Sequence, residues 1–371
     1  MKRRRTSLAL IGAAASAAVL LALWPHARDA AALLQARDDP AQLSDLKLNS
    51  ALRNRELVAD NIDAALAAGD ADLAGSFVEL AREKDISLDD EQTRRVADAV
   101  TEANSSTHLA KNFATGLVTG KADDVASLSG TVAGDLFVFG DIRDVVREGK
   151  HLAMGEETDR LILGLATAGL AVTAATYVSL GGATPLRAGL SLVKDARKVG
   201  RLGEGLAEWA GRSARDVVDT PMLQHAVAGG SLLRPTQTVS AISAAFRAEK
   251  AGALVRLAKD VGRVGERAGV RAAQDTLKIA DGPKDVARAA RLAAAKGGKT
   301  RAILKILGRG ALLLTGGLID LTLWIFSALL ALFGVLSSIK ATSERATQAW
   351  LDRRKAKRLR LQMVAAAVSA G

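Results

Sequence analysis

Three stretches with almost no charge, residues 7–24, 161–180 and 311–339, constrain this chain more than anything else in it. A helix rises about 1.5 Å per residue and the hydrocarbon layer of a bilayer is about 30 Å thick, so roughly 20 apolar residues suffice to cross it. Each stretch is near or above that length. Where they lie, and which charges flank them, sets the expected topology.

The first stretch follows Lys2-Arg3-Arg4-Arg5, the arrangement of a secretory signal or a signal anchor. It is longer than the apolar core of a cleaved signal, and no small-x-small site closes it before Trp24-Pro25. Residues 1–26 are therefore expected to be an uncleaved anchor, with the chain after it outside the cytoplasm. The second stretch, LILGLATAGLAVTAATYVSL, has acidic residues before it and basic residues after it. Basic flanks stay in the cytoplasm, so a membrane helix within 158–183 would run from outside to inside. Gly164 and Ala168, and Ala171 and Ala175, are small residues spaced by four, as where helices approach closely in lipid. The competing expectation is a buried helix of a soluble domain.

The third stretch, 311–339, is the most apolar and carries one charge, Asp320. A span over 318–339 would put Asp320 at its wet N-terminal end, where a helix favours negative charge. A carboxylate deeper in lipid would instead mark a functional path. Three crossings would leave the tail 340–371 outside, although it holds Arg353-Arg354-Lys355-Ala356-Lys357-Arg358, and such runs favour the cytoplasm. A hairpin turning at Thr315-Gly316-Gly317 removes the conflict. So does a chain with only two spans, in which 161–180 does not cross.

Between these stretches the charge changes sign. Residues 27–160 hold 15 Lys/Arg against 26 Asp/Glu, and residues 187–310 hold 24 against 11. Residues 27–157 are expected to form a small acidic domain of helical hairpins in the periplasm. Leu57, Val58, Ile62, Ala65 and Leu66 follow a helical period, as do Leu73, Phe77, Leu80 and Ala81, with a break at Gly69-Asp70. Asp89-Asp90-Glu91 opens a further helix with Val96 and Val100 on its inner face.

Residues 184–310 are expected to be a cytoplasmic region of basic amphipathic helices. Arg256, Lys259, Arg263, Arg267 and Arg271 form one stripe, and Leu254, Leu257, Val261, Val264 and Ala268 another. That is the pattern of a helix lying on an anionic leaflet. A second helix is bracketed by Asp281 as cap, Pro283 as first turn and Gly297-Gly298 as stop. Nucleic acid is not the expected partner of this region, since aromatics for base stacking are nearly absent from it.

The most suggestive local text is SGTVAGDLFVFGDIRDVVREGK at 129–150. Gly134-Asp135 recurs as Gly140-Asp141, with Arg143-Asp144 next. Asp135, Asp141, Arg143 and Asp144, with Asp320, are the candidate functional residues. The bland alternative is helix capping by Asp and breaking by Gly. The sequence sets no His, Lys or nucleophile beside these acids, so acid–base catalysis has no support in it. The Gly-Asp-Ile-Arg-Asp text loosely resembles helical linker regions ahead of secreted bacterial toxin domains. It covers about a dozen residues and carries no function with it.

Cys is absent, His26, His108, His151 and His225 are scattered, and no phosphate-binding loop, nucleophile elbow or metal motif occurs. No cofactor or metal is expected. Ala and Leu abound and only 6 residues are Pro, which suits long helices. The expectation is an all-α, multi-span membrane protein of a bacterial inner membrane, with a structural or interaction role. Its partners would be anionic lipid on the cytoplasmic face, a periplasmic protein and other copies of itself. A small oligomeric transport or pore-forming protein, with Asp320 lining a path, is the alternative, and a membrane-anchored enzyme the third class.

Overall fold

Asp and Gly punctuate this chain, and in a computed structural model the segments between them are helices. The structure describes residues 2–54, 56–105, 130–176, 184–229, 241–242, 244–313 and 318–369. The described residues are all-helical apart from turns, short 3₁₀ segments and one isolated bridge between Val218 and Phe246. They divide into two units, 1–37 with 314–371, and 38–313.

The first unit is a pair of long helices, α1 (Lys2–Gln35) and α15 (Leu318–Ser369), packed side by side. His26, towards the end of α1, stacks on Trp324 near the start of α15, with ring centroids 4.7 Å apart and planes at 19°, so the helices run antiparallel. Ala27, Ala30 and Ala328 are buried in the pair. The outward faces are apolar and open: Leu323, Phe326, Leu330, Phe333, Leu336 and Ile339 are all exposed. Both are long and apolar enough to cross a membrane, α1 with the 3₁₀ turn after it over Ala17–Asp38 and α15 over Thr322–Leu359. The α15 helix continues past the apolar stretch into the basic tail without a break, since neither Pro nor Gly occurs from 335 to 369.

The second unit starts with four short helices: α2 (Pro40–Ala51), α3 (Glu56–Ala67), α4 (Ala71–Glu83) and α5 (Asp90–Ala103). Asp39 caps α2 by accepting from the Ala41 and Gln42 amides, and Asp70 caps α4 by accepting from the Leu73 amide at 3.1 Å. The expected apolar faces are the buried ones: Val58, Ile62, Ala65, Phe77, Leu80, Ala81 and Val96 lie in one core. There follow α6 (Gly130–Ala153), α7 (Arg160–Thr176), α8 (Thr184–Lys198), α9 (Glu204–Val217) and α10 (Thr220–Gly229). The unit ends with α11 (Gly252–Ala268), α12 (Val270–Ile279), α13 (Pro283–Lys296) and α14 (Thr300–Leu307).

Of the stretch expected to be the second membrane span, residues 161–176 belong to α7, which lies inside this unit, and 177–180 lie outside the described residues. All of residues 161–170 are buried. Leu161, Leu165 and Ala168 belong to the main core, while Leu163, Ala166 and Leu170 face a smaller one with Ile142, Val145, Leu223 and Ile242. A helix that is apolar all round is either a membrane span or a central core helix. Flanked by α6, α8 and α9, α7 is covered by protein over residues 161–170. The small residues do bring helices together, but within the unit: a Cβ on Gly164 would come 2.5 Å from the Ala214 Cβ of α9.

The expected split into an acidic periplasmic domain and a basic cytoplasmic region is also not what the fold displays. Both segments share the main core, and their charges pair. Lys296 bonds Asp45 at 2.8 Å and Glu83 at 2.7 Å, Lys299 pairs with Glu83, and Arg271 reaches Asp70 at 2.9 Å. Arg301, 4% exposed, forks both oxygens of Asp70 and also bonds Asp72 and Asp275. The sign change along the chain therefore reflects complementary halves of one unit.

The basic stripe is likewise half as expected. Arg256, Lys259, Arg263, Arg267 and Arg271 are exposed, but the apolar face of α11 packs on α8 and α13 and offers nothing to lipid. The helix bracketed by Pro283 and Gly297 is α13. Its N-cap is Gly282 rather than Asp281, and the Asp281 amide instead donates to the Asp285 carboxylate at 3.1 Å.

Candidate functional site

The repeated Gly-Asp text does not cap helices. It lies within the single 24-residue helix α6, which places Asp141 and Asp144 about one turn apart in the helix interior. Asp141 is 8% exposed and Asp144 fully buried. They face α8, whose Lys194 and Lys198 are also one turn apart. Lys194, itself 6% exposed, pairs with Asp141 and lies 3.1 Å from Asp144, and Lys198 donates to Asp144 at 2.7 Å.

Opposite the lysines, the site is lined by α7. A Cβ on Gly169 would come 2.1 Å from an Asp141 carboxylate oxygen, so only glycine admits the carboxylate there. The rim is a ring of alternating charge. Arg143 and Arg147 each approach Asp144 Oδ1 at 3.8 Å, Arg147 bonds Glu148 at 3.0 Å, and Glu148 accepts from the Asp159 amide at 2.9 Å. Asp159 caps α7 through the Leu161 and Ile162 amides and accepts from Arg197 at 2.8 Å.

Burial acts unequally on Asp141, Asp144 and Lys194. It pushes the Asp141 carboxyl up to about 6, because the nearby Lys194 charge and hydrogen bond offset desolvation only in part and the Asp144 charge adds to it. Burial also raises Asp144, but Lys194 and Lys198 outweigh it and hold that carboxyl below its ordinary value. Burial would lower Lys194, yet the two carboxylates keep its ammonium above the usual value. The result is a charged Lys194 between one firmly ionised carboxylate and one that takes up a proton near pH 6.

Of the candidate residues, the structure thus joins Asp141, Asp144 and, at the rim, Arg143. The side chains of Asp135 and Asp320, and those of Leu136–Phe139 between the Gly-Asp pairs, lie outside the described residues. Lys194, Lys198 and Gly169 are far from these acids in sequence, and the expectation of no Lys beside them is corrected by the fold. A trace of Lys194 was present: it occupies the i+4 position after Leu186 and Leu190, where α8 carries its apolar stripe. A cation on such a stripe needs a buried partner.

The network binds α6 to α8 across α7. Among the described residues, no group of three or more His, Asp or Glu side chains is arranged to hold a metal ion. The lysine lies between carboxylates that engage its protons, which is the geometry of an ion-pair clasp. No protein-family model, no curated protein and no solved structure matches this chain. Its class is therefore defined by the fold: a helical unit with a buried ionic clasp, whose sequence lies between those of two long apolar helices.

Proposed function

We propose that this chain is a membrane-anchored helical scaffold of a bacterial inner membrane, in which α1 and α15 cross the bilayer and residues 38–313 form a partner-binding domain in the periplasm. The observation that carries the reading is the open apolar surface of α15. Phe333 is 68% exposed, and Leu323, Phe326, Leu330, Leu336 and Ile339 are each more than half exposed. A row of large apolar side chains facing water is unfavourable by about 1.5–3 kcal/mol for each. Lipid removes that cost. Residues 318–339 extend about 33 Å as helix, enough for the hydrocarbon layer.

Two antiparallel spans also agree with the charges. Lys2 to Arg5 and the basic tail both fall on one side, which basic flanks make the cytoplasm. Residues 38–313 fall on the other. The conflict created by three crossings disappears once 161–170 is buried in the core. A scaffold role is supported by the clasp, whose ionic groups are engaged with one another in holding helices together.

Reporter fusions after Lys150, Lys250 and Gly371 test the topology. The first two should report the periplasm and the third the cytoplasm. A cytoplasmic signal at Lys250 would restore a crossing by 161–180 and overturn the two-span reading. Solute leakage from liposomes containing the purified protein would overturn the scaffold role in favour of a pore.

A further inference from the structure

We propose that the C-terminal part of α15 is a binding arm for single-stranded nucleic acid, gripping phosphates with Arg353, Arg354, Lys355, Lys357 and Arg358 and stacking a base on Trp350. All six side chains are exposed, and every residue of 343–359 is exposed around the helix. Among the described residues nothing covers 343–359, and residues 340–371 carry 8 basic and 2 acidic residues.

The leaflet that α15 leaves is a poor occupant of this surface, an argument that rests on the membrane reading above. Trp350 lies about 16 Å, and Arg353 to Arg358 about 21–28 Å, beyond Ile339 along an unbroken helix. The headgroup layer adds only about 5–7 Å to the hydrocarbon layer on each side, and charges are screened over about 8 Å in physiological salt. The cluster therefore projects past its own membrane.

Two features favour nucleic acid over an acidic protein. At 100° per residue, the five cations cover more than half the helix circumference, whereas a protein surface would meet a narrower stripe. A flexible phosphate backbone wraps such a surface. The second feature is the tryptophan. Trp350 is 51% exposed and far from the interfacial belt, and the Arg354 guanidinium lies over its ring at 3.8 Å from the centroid. The ring thus carries a cation and, half exposed, is available to stack on a base. The scarcity of aromatics that argued against nucleic acid for residues 187–310 does not hold for this arm.

The test is fluorescence anisotropy of a labelled 20-nucleotide oligouridylate with the detergent-purified full chain across a salt series. The combined variant Arg353→Gln, Arg354→Gln, Lys355→Gln, Lys357→Gln and Arg358→Gln should weaken binding at least tenfold and lower the log–log salt slope by about 3. Trp350→Ala should weaken binding about fivefold or more with the salt slope unchanged. Equal helix content by circular dichroism shows that the arm stays folded in both. Three results would overturn the proposal: no binding at low salt, no effect of Trp350→Ala, or competition by polyglutamate or anionic vesicles as strong as by unlabelled oligouridylate. Binding by the purified chain does not depend on sidedness, so a failed topology test and a failed binding test remain distinguishable.

Discussion

Gly189 of α8 meets Ala258 of α11 so closely that a Cβ on the glycine would come 1.8 Å from the Ala258 carbonyl oxygen and 3.0 Å from the Gly262 amide nitrogen. The two helix backbones touch at this crossing, and the neighbour is main chain, which has little room to yield. Leu186, Leu190 and Val193 on one side and Leu254, Leu257 and Val261 on the other seal around it.

Gly189→Ala should therefore destabilise the second unit by about 2–3 kcal/mol, as overpacking of a close contact does. Gly211 is the control. It is also helical, but a Cβ there would meet nothing within 4 Å, so Gly211→Ala should stabilise by about 0.5–1 kcal/mol. Denaturant unfolding of the full chain in detergent measures both. Equal effects of the two substitutions would show that the crossing is looser than the structure has it.

Removing the cation from the clasp should cost more than removing the clasp. Lys194→Met leaves Asp141 buried without its main counter-charge, a loss of about 3 kcal/mol. Adding Asp141→Leu should recover at least half of that, because a buried ion pair and an apolar pair of similar volume are often near in stability. The coupling energy from the double-mutant cycle should exceed about 1 kcal/mol. Additive losses would mean the two side chains do not depend on each other.

The clasp also sets a pH dependence. Asp141 holds its proton more tightly folded than unfolded, since its carboxyl sits at about 6 rather than about 4. Its contribution to stability is fully present below about pH 4 and is lost as pH rises through about 6. Asp70 and Glu83 act in the opposite sense. Burial raises both, but Arg301 and Arg271 around Asp70, and Lys296 and Lys299 around Glu83, bring each down to about 2. Their contribution is present above about pH 4 and is lost as pH falls towards 2. Melting temperature should thus decline between pH 4.5 and 6.5 from the Asp141 effect and fall steeply below pH 4. Asp141→Asn should flatten the first limb and leave the second in place. An unchanged first limb in that variant would assign the decline to another group.

Arg301 is the most connected cation between the two halves of the second unit. Its fork on Asp70, with further bonds to Asp72 and Asp275, depends on the planar guanidinium, which an ammonium cannot reproduce. Arg301→Lys should cost about 2 kcal/mol, and Arg301→Ala about 3–4 kcal/mol because it also opens a buried space. Thermal unfolding with both variants checks the order. If Lys substitutes without loss, the fork contributes only charge.

Residue order alone determined much of this molecule. Helical periods marked α3, α4, α5, α11 and α13, because a helix that buries one face must repeat its apolar residues every three to four positions. The same logic exposed two apolar helices at the chain ends. The sequence also flagged Asp141 and Asp144, through the unusual recurrence of Gly-Asp, without revealing what they meet.

Only the tertiary structure decided where α7 goes and what the charges do. An all-round apolar helix looks the same whether lipid or protein surrounds it, and the difference lies in α6, α8 and α9, which pack on α7 and bury residues 161–170. Charge sign along the chain carries no record of pairing across space, so Asp70 with Arg301, or Asp141 with Lys194, stayed hidden over separations of 231 and 53 residues. Sequence fixes what each helix must bury, and the fold alone chooses the partner that buries it.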